Sequence, residues 1–561
     1  MSDEPHMEIS PTSLSFANRP VSRRTLLRGA SRLGMGVGVS AGLTGLLAAC
    51  GIADGGGDTS SSSAPRTGGT LTLAVDATSA VNDPAFYTSL GDWMAVDCIC
   101  RGLTFISFET NEPQADLAES WDISADQLTY TFHLRKGVTF HDGTTFTSAD
   151  VLASLGRQFN DADKTLPKGS SRPLRSVGAN LASFKAVDAN TVQMVLKKPD
   201  RTLLNRLSDI GGRIISKAAL DKYGADIGKN LVGTGPFKFS SAIAGQSVVL
   251  AAFDGFRLGR PPIDRLVLQQ VQDPSTIVSS LLAGDISATQ FTPYSALDQL
   301  KSDHAVTVYD TPKSFDAFVM MDARRIPELD VRKAINLAID REAIIAQAFF
   351  GSGSLPDGYT IPATLDGYDK SLADLSTTNV AEAKRLIQAA GATGREVRLM
   401  AASDSWHPKA AQIIAQNLSD IGLKVTTDSV DPATYFSRLL APDDKFHELM
   451  IWERNAYIPD PDDMIGSMAQ PSGVYGDFIS GFTTLEGSAQ FADDLFAAKN
   501  LTDTTARAAA YSAIQRRWAE KYMTLSMLAY AANPVVSGAK VQGINVKALG
   551  NHRCFLEKAS V

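Results

Sequence analysis

The side chains that could do chemistry are few and scattered. His133 and His141 stand eight apart with Asp142 beside the second, the nearest approach to a metal-ligand spacing in a chain with seven histidines. Alternation along Leu128 to Leu134, however, places His133 on one face of a strand, and Gly137 intervenes before His141. Both histidines therefore read as structural or solvated rather than as ligands. No G-x-x-x-x-G-K-[ST], H-E-x-x-H or G-x-S-x-G run is present. A dispersed Ser/His/Asp triad or carboxylate pair leaves a secreted hydrolase as the alternative class. Trp406, Trp452 and Tyr457 offer flat faces able to stack on a sugar or another flat polar ligand, or to fill a core. The chemistry is that of binding, and no cofactor or metal is called for.

Cys50 is the other reactive group with an informative context. Arg19, Arg23, Arg24, Arg28 and Arg32 form a basic approach, and Leu33 to Ala49 follow without a charge. That run holds 17 residues and five glycines, just short of the ~18 apolar residues expected of a spanning helix. A basic start, a weakly apolar middle and small residues at the end are the marks of a signal peptide. Ser22-Arg23-Arg24-Thr25-Leu26-Leu27-Arg28 resembles the twin-arginine export signal. Leu47-Ala48-Ala49-Cys50 resembles the bacterial lipobox, whose cysteine sulfur receives a diacylglycerol. Residues 1–50 are thus expected to be a lipoprotein signal ending at Cys50, the lipid attachment residue. Residues 51–67, rich in Gly, Ser, Asp and Pro, are expected to form a flexible tether. The mature body would sit outside the cytoplasmic membrane, held by two or more acyl chains.

The body itself, roughly 500 residues long, exceeds one compact core, so at least two lobes are expected. The whole chain carries a formal charge of −8, and loss of a signal with five arginines and three acids takes it to −10. That acidity argues against nucleic acid as a partner. Cys98, Cys100 and Cys554 remain, an odd number. At most one disulfide can form, joining Cys554 to Cys98 or Cys100, with buried free thiols the alternative.

Strand-like and helix-like stretches alternate. Thr70 to Val75, Leu128 to Leu134 and Thr191 to Leu196 repeat with period two. Helical patterns cover Ser148 to Phe159, Val331 to Phe350, Val380 to Ala390 and Lys409 to Ile421. Ser148 is a plausible N-cap, with Val151, Leu152 and Leu155 on one face. Gly391 supplies a C-terminal stop. An α/β body follows.

The stretch LAESWDISADQLTYTFHLRKGVTFHDGTTFTSADVLASL (117 to 155) resembles the signature of the ABC-transporter solute-binding family for oligopeptides, dipeptides and nickel. Further blocks resemble the family in order: Gly68-Gly69-Thr70-Leu71, LVGTGPFKFSSAIAGQSVVLAAFDGFRLGRPPIDRLVLQQV (231 to 271), LDVRKAINLAIDREAII (329 to 345) and YIPDPDDMI (457 to 465). The resemblance spans essentially all of the mature chain. It implies a two-lobed, periplasmic-binding-protein-like hinged α/β fold. Lobe I would comprise 68–315 with 526–561, including a smaller subdomain at about 108–232, and lobe II would comprise 316–525. The chain would cross near Ser314 to Asp322 and return near Ser526 to Ala532. The implied function is an extracytoplasmic, monomeric receptor that hands a solute to an ABC permease and its ATPase subunits. Within the resembling blocks, Gly137, Asp142-Gly143 and Gly233-Thr234-Gly235-Pro236 read as turn chemistry, hence as scaffold.

Ligand class is less determined. Peptide-binding members hold the peptide's amino terminus with an aspartate in a W-x-x-D-x-x-x-P pattern. Here Trp452 lies nine residues before Pro461, so the aspartate's place falls on Tyr457 in one register and Asn455 in the other, neither charged. Glu453, Asp460, Asp462 or Asp463 could substitute, or cap a helix or face solvent. The ligand-binding candidates are therefore Trp406, Trp452, Glu453, Tyr457 and Asp460, for a peptide, an oligosaccharide or another polar solute. Seven unclustered histidines argue against nickel.

Overall fold

The computed structural model describes residues 68–561 apart from 80, 87–88, 169, 171, 312, 314, 440–446, 456–457, 470–479 and 551–552. Cys50, the arginines before it, the 51–67 stretch, Ser314 and Tyr457 lie outside the described residues. Among the described residues, no helix is long and apolar enough to cross a membrane.

Two sheets organise the body. The first has seven strands in the order Phe237–Ile243, Ser247–Ala252, Arg265–Gln270, Thr70–Val75, Ala288–Thr289, Val536–Gly538 and Val306–Val308. Thr70–Val75 runs parallel to both of its neighbours. Its period-two pattern breaks at the end because both faces are covered there: Leu71, Leu73 and Val75 enter one core, and Ala74 enters another. The second sheet has five strands, in the order Lys424–Val430, Glu396–Ala402, Leu449–Asn455, Phe315–Met321 and Leu525–Ala531. Phe315–Met321 and Leu525–Ala531 are buried at every residue. The segment from 526 was expected on the side of the first lobe, yet Leu525–Ala531 hydrogen-bonds along Phe315–Met321. The chain returns to the first sheet only at Val536–Gly538.

A four-stranded antiparallel sheet, Ala118–Ile123, Thr129–Leu134, Thr191–Leu196 and Leu181–Asp188, forms a third layer with its own core. Alternation in Thr129–Leu134 buries Tyr130, Phe132 and Leu134 as expected. It turns His133 outward, where Nε2 lies 2.8 Å from Asp122 Oδ2. The helix Ser148–Phe159 packs beside this sheet, but Thr147 is its N-cap, in a capping box with Asp150. Ser148 instead donates its hydroxyl to the Asp188 carbonyl at 2.6 Å.

The resembling blocks prove to be joints. Gly233 and Gly235 press against the end of the helix Leu90–Ile99. A Cβ at Gly233 would meet Ile99 O at 2.1 Å, and one at Gly235 would meet Cys98 O at 2.5 Å. Only glycine allows that approach. His141 closes the joint with Nε2 3.0 Å from Gly235 O. Burial pulls its imidazole down to about 4, so it stays neutral near pH 7 and is structural. The expected helix Val331 to Phe350 is two helices, Leu329–Ala338 and Arg341–Gln347. Asp340 interrupts it by capping the second, its side chain accepting from Ala343 N. Arg341 is 1% exposed, and donates to Met527 O (2.7 Å), Asn336 Oδ1 (2.7 Å) and Ser526 Oγ (3.1 Å). It thereby bolts this helix pair to Leu525–Ala531, and burial pulls its guanidinium down to about 10.

Candidate ligand-binding site

In open α/β sheets, ligand crevices form outside the carboxyl ends of parallel strands. In the first sheet those ends are Val75, Gln270 and Thr289, and in the second they are Ala402, Val430 and Asn455. Asp76 stands at the first of them. Its Oδ1 accepts from Gly91 N (3.2 Å) at the start of Leu90–Ile99. Burial nevertheless pushes the carboxyl up to about 6, against the pull of the amides of Ala77, Gly91 and Leu90.

At the second sheet an aromatic row runs through the carboxyl ends. Tyr294 meets Phe349 edge-on at 5.3 Å, Phe349 stacks on Trp406 at 4.8 Å, and Trp406 stacks on His407 at 4.2 Å. His407 lies 6.5 Å from Trp452, which stacks on Tyr435 at 4.8 Å with the rings 10° apart. The helix His407–Asp420 and the strand Leu449–Asn455 position this row, and Pro408 gives the helix its rigid first turn. Glu453 lies within it, accepting from Trp406 Nε1 at 2.6 Å. Burial raises the Glu453 carboxyl above its usual range, while His407 and the Trp406 N–H pull it down. The same carboxylate adds to the burial that drives the Tyr294 hydroxyl well above its ordinary value.

The structure brings three of the expected site residues together: Trp406, Trp452 and Glu453. Trp406 is only 2% exposed, so it backs the row, whereas Trp452 is half-buried and presents the open end. Asp460 is elsewhere. Both of its oxygens lie 2.8 Å from Arg507 Nη2, on a separate cavity of about 530 Å³ shared with Asn111, Trp121, Arg201 and Asp366. Sequence reasoning missed Asp76, Tyr294, Phe349, His407 and Tyr435. His407 has the clearest chemical mark: it is 5% exposed and its Nε2 has no hydrogen-bond partner among the described groups. The proline after it was a visible helix-start signal, but nothing local announced the rings that surround it. Among the described residues, no group of three or more His, Cys, Asp or Glu is placed to hold a metal ion. Tyr294, Phe349, Trp406, His407 and Tyr435 are buried in the row, so the half-buried Trp452 is the ring of the row that can offer a face to a flat ligand.

A family profile described as "Bacterial extracellular solute-binding proteins, family 5 Middle" matches residues 112–476. The chain is 30% identical over 320 residues to the glutathione-binding protein GsiB of Escherichia coli, a match covering 56% of this chain and 60% of the relative. The chain thus spans about 60% of the length of the curated relatives it matches. Among solved structures it resembles the ABC transporter-associated periplasmic binding protein DppA from Helicobacter pylori in complex with peptide STSA. There the identity is 26%, the TM-score 0.77, and the match covers 88% of this chain and 98% of that one. The periplasmic binding protein AgaA in complex with agropinic acid, from A. tumefacien R10, gives 25% identity, TM-score 0.76 and coverage of 88% and 99%. A dipeptide binding protein from pseudoalteromonas sp. SM9913 in complex with Met-Leu shares the fold at 21% identity, TM-score 0.79, with coverage of 88% and 100%.

Proposed function

Because the chain belongs to the bacterial extracellular solute-binding proteins, family 5, we propose that it is the solute receptor of an ABC importer, anchored outside the cell membrane through Cys50. The two sheets with their helices act as the lobes, and the two crossings of the chain between the sheets act as the hinge. Ligand closes the lobes because it touches both only in the closed form. The four-stranded sheet and its helix, within about 108–232, are the subdomain of lobe I. A permease with its ATPase subunits then reads the closed receptor, and the ligand leaves chemically unchanged. The lipid keeps a diffusible receptor beside its transporter.

The observation that carries the reading is the Tyr294–Phe349–Trp406–His407–Trp452 row with Glu453 beside it, at the carboxyl ends of the second sheet. It also supports a ligand class: a peptide or other small polar solute bearing a flat group, not held mainly by an aspartate gripping a free amine. Asp460 is committed to Arg507, and Glu453 to Trp406. Trp452→Ala and Tyr457→Ala are each expected to weaken binding by ~1–3 kcal/mol, while Asp460→Asn and Glu453→Gln change it little. Calorimetry with free and acetylated peptides, glutathione and oligosaccharides tests this. Tight binding of a free peptide, lost on acetylation and in Glu453→Gln, would transfer the site to amine recognition. Ligand recovered as a cleaved product would make the protein a hydrolase.

The anchor has its own test. Cys50→Ala is expected to move the protein from the membrane fraction into the medium. Lysine at both Arg23 and Arg24 keeps the charge yet should stop export. Membrane fractionation unaltered in Cys50→Ala would remove the lipid from the account, and normal export of the double lysine variant would point to the general secretory route.

A further inference from the structure

Cys98, in the helix Leu90–Ile99, and Cys554, in the C-terminal tail, are 0% and 1% exposed, and their Sγ atoms lie 3.1 Å apart. That is about 1 Å beyond the length of a covalent S–S bond, a gap that small side-chain rotations close. Cys100 faces elsewhere: its Sγ sits against Gly233, where a Cβ would come within 2.7 Å of it. We propose that Cys98 and Cys554 form a disulfide in the exported protein, leaving Cys100 as a buried free thiol. The compartment supplies the chemistry, since a bacterial extracellular protein matures where disulfides persist.

The bond has a defined mechanical role. The tail it ties down is docked along the first lobe, with Leu556 and Ala559 fully buried. Arg553 donates to Ser208 O (3.0 Å) and lies 3.1 Å from Asp209 Oδ1. The helix at its other end begins with the amides that hold Asp76 at the mouth of the first sheet. A crosslink between residues 456 apart in sequence thus fixes the last segment of the chain to the element that positions the cleft wall.

Burial drives the Cys98 thiol well above its ordinary value, and contact with Cys554 adds to this. Attack therefore belongs to a stage when the tail is undocked and water reaches both thiols. Its thiolate attacks a disulfide of an oxidised thiol compound or oxidoreductase, expelling one thiolate and forming a mixed disulfide. Cys98, as thiolate, then displaces the second. The protein loses two protons and two electrons, and the oxidant gains them as two thiols.

The test uses the full-length protein recovered from outside the cytoplasm, denatured and alkylated without reductant. The expected result is alkylation of Cys100 but not of Cys98 or Cys554, with the Cys554–Lys558 tryptic peptide linked to the peptide carrying Cys98. The link should survive Cys100→Ser and vanish in Cys98→Ser. Thiol reduction should lower the Tm of the wild type and of Cys100→Ser by several degrees, and leave Cys554→Ser unmoved. Three alkylated cysteines, or a link that survives Cys98→Ser and is lost in Cys100→Ser, would overturn the assignment. A crosslink present but without effect on Tm would overturn its role in holding the tail.

Discussion

Asp316→Ala is expected to destabilise the folded protein by about 3–5 kcal/mol, read as a lower urea midpoint. Asp316 lies on Phe315–Met321, and its Oδ2 is 2.6 Å from Nη2 of Arg454 on the neighbouring strand. The two side chains are 1% and 6% exposed. Without the carboxylate, the guanidinium keeps, among the described groups, the Met464 carbonyl and the Ser467 hydroxyl, and stays buried without its ion-pair partner. Replacing both partners by apolar residues, Asp316→Leu with Arg454→Met, should recover most of the loss, because the desolvation of both charges disappears together. An alanine variant with the wild-type midpoint would contradict this account.

Lys499→Met is expected to weaken ligand binding about tenfold or more although Lys499 lies outside the aromatic row. Its Nζ is 2.9 Å from Asp200 Oδ1 and 3.8 Å from Asp462 Oδ2, with the side chain 9% exposed. Arg206 Nη2 completes the cluster, 3.6 Å from Asp462. Asp200 and Arg206 follow the four-stranded sheet, whereas Asp462 and Lys499 sit on the helices Pro461–Ala469 and Ser488–Lys499 beside the second sheet. Arg201 Nη1 donates to Leu501 O (2.7 Å) and Asn111 Nδ2 to Thr364 O (2.8 Å) across the same boundary. If the lobes open as proposed, these contacts exist only in the closed form, and their energy adds to that of the ligand. Tenfold in affinity is about 1.4 kcal/mol, a modest share of the several kcal/mol that removing one partner of a buried charge cluster costs. Calorimetry and X-ray scattering read it together: the wild type contracts on ligand addition, while the variant contracts less at equal saturation. Saturation at a hundredfold excess over Kd should also add ~2.7 kcal/mol to wild-type stability. Unchanged affinity with unchanged contraction would make the cluster scaffold and contradict opening along this boundary.

The sequence by itself determined what depends on neighbours a few residues apart. Period-two alternation in Thr129–Leu134 and Thr191–Leu196 marked the strands, since a strand's faces are set by parity alone. Gly391, at φ 64°, ended its helix where its freedom from a Cβ predicted. Gly233-Thr234-Gly235-Pro236 read as turn chemistry from the sequence, and the close approach of its glycines to Cys98 and Ile99 was visible only in the structure. The blocks that resemble the solute-binding family determined the α/β class and the family, because scaffold joints tolerate few residue types. Tertiary structure alone decided the rest. Trp406 and Trp452 look alike in sequence, yet Phe349 and Glu453 bury the first while the second stays half open. Asp460 was a candidate amine ligand until Arg507 arrived from a distant helix to occupy it. Cys554 had two cysteines it could meet, and packing of the tail sets its Sγ 3.1 Å from that of Cys98. In each case the deciding contact joins residues far apart along the chain. Such a contact is fixed by how sheets and helices pack, and no local pattern of propensity or period encodes it.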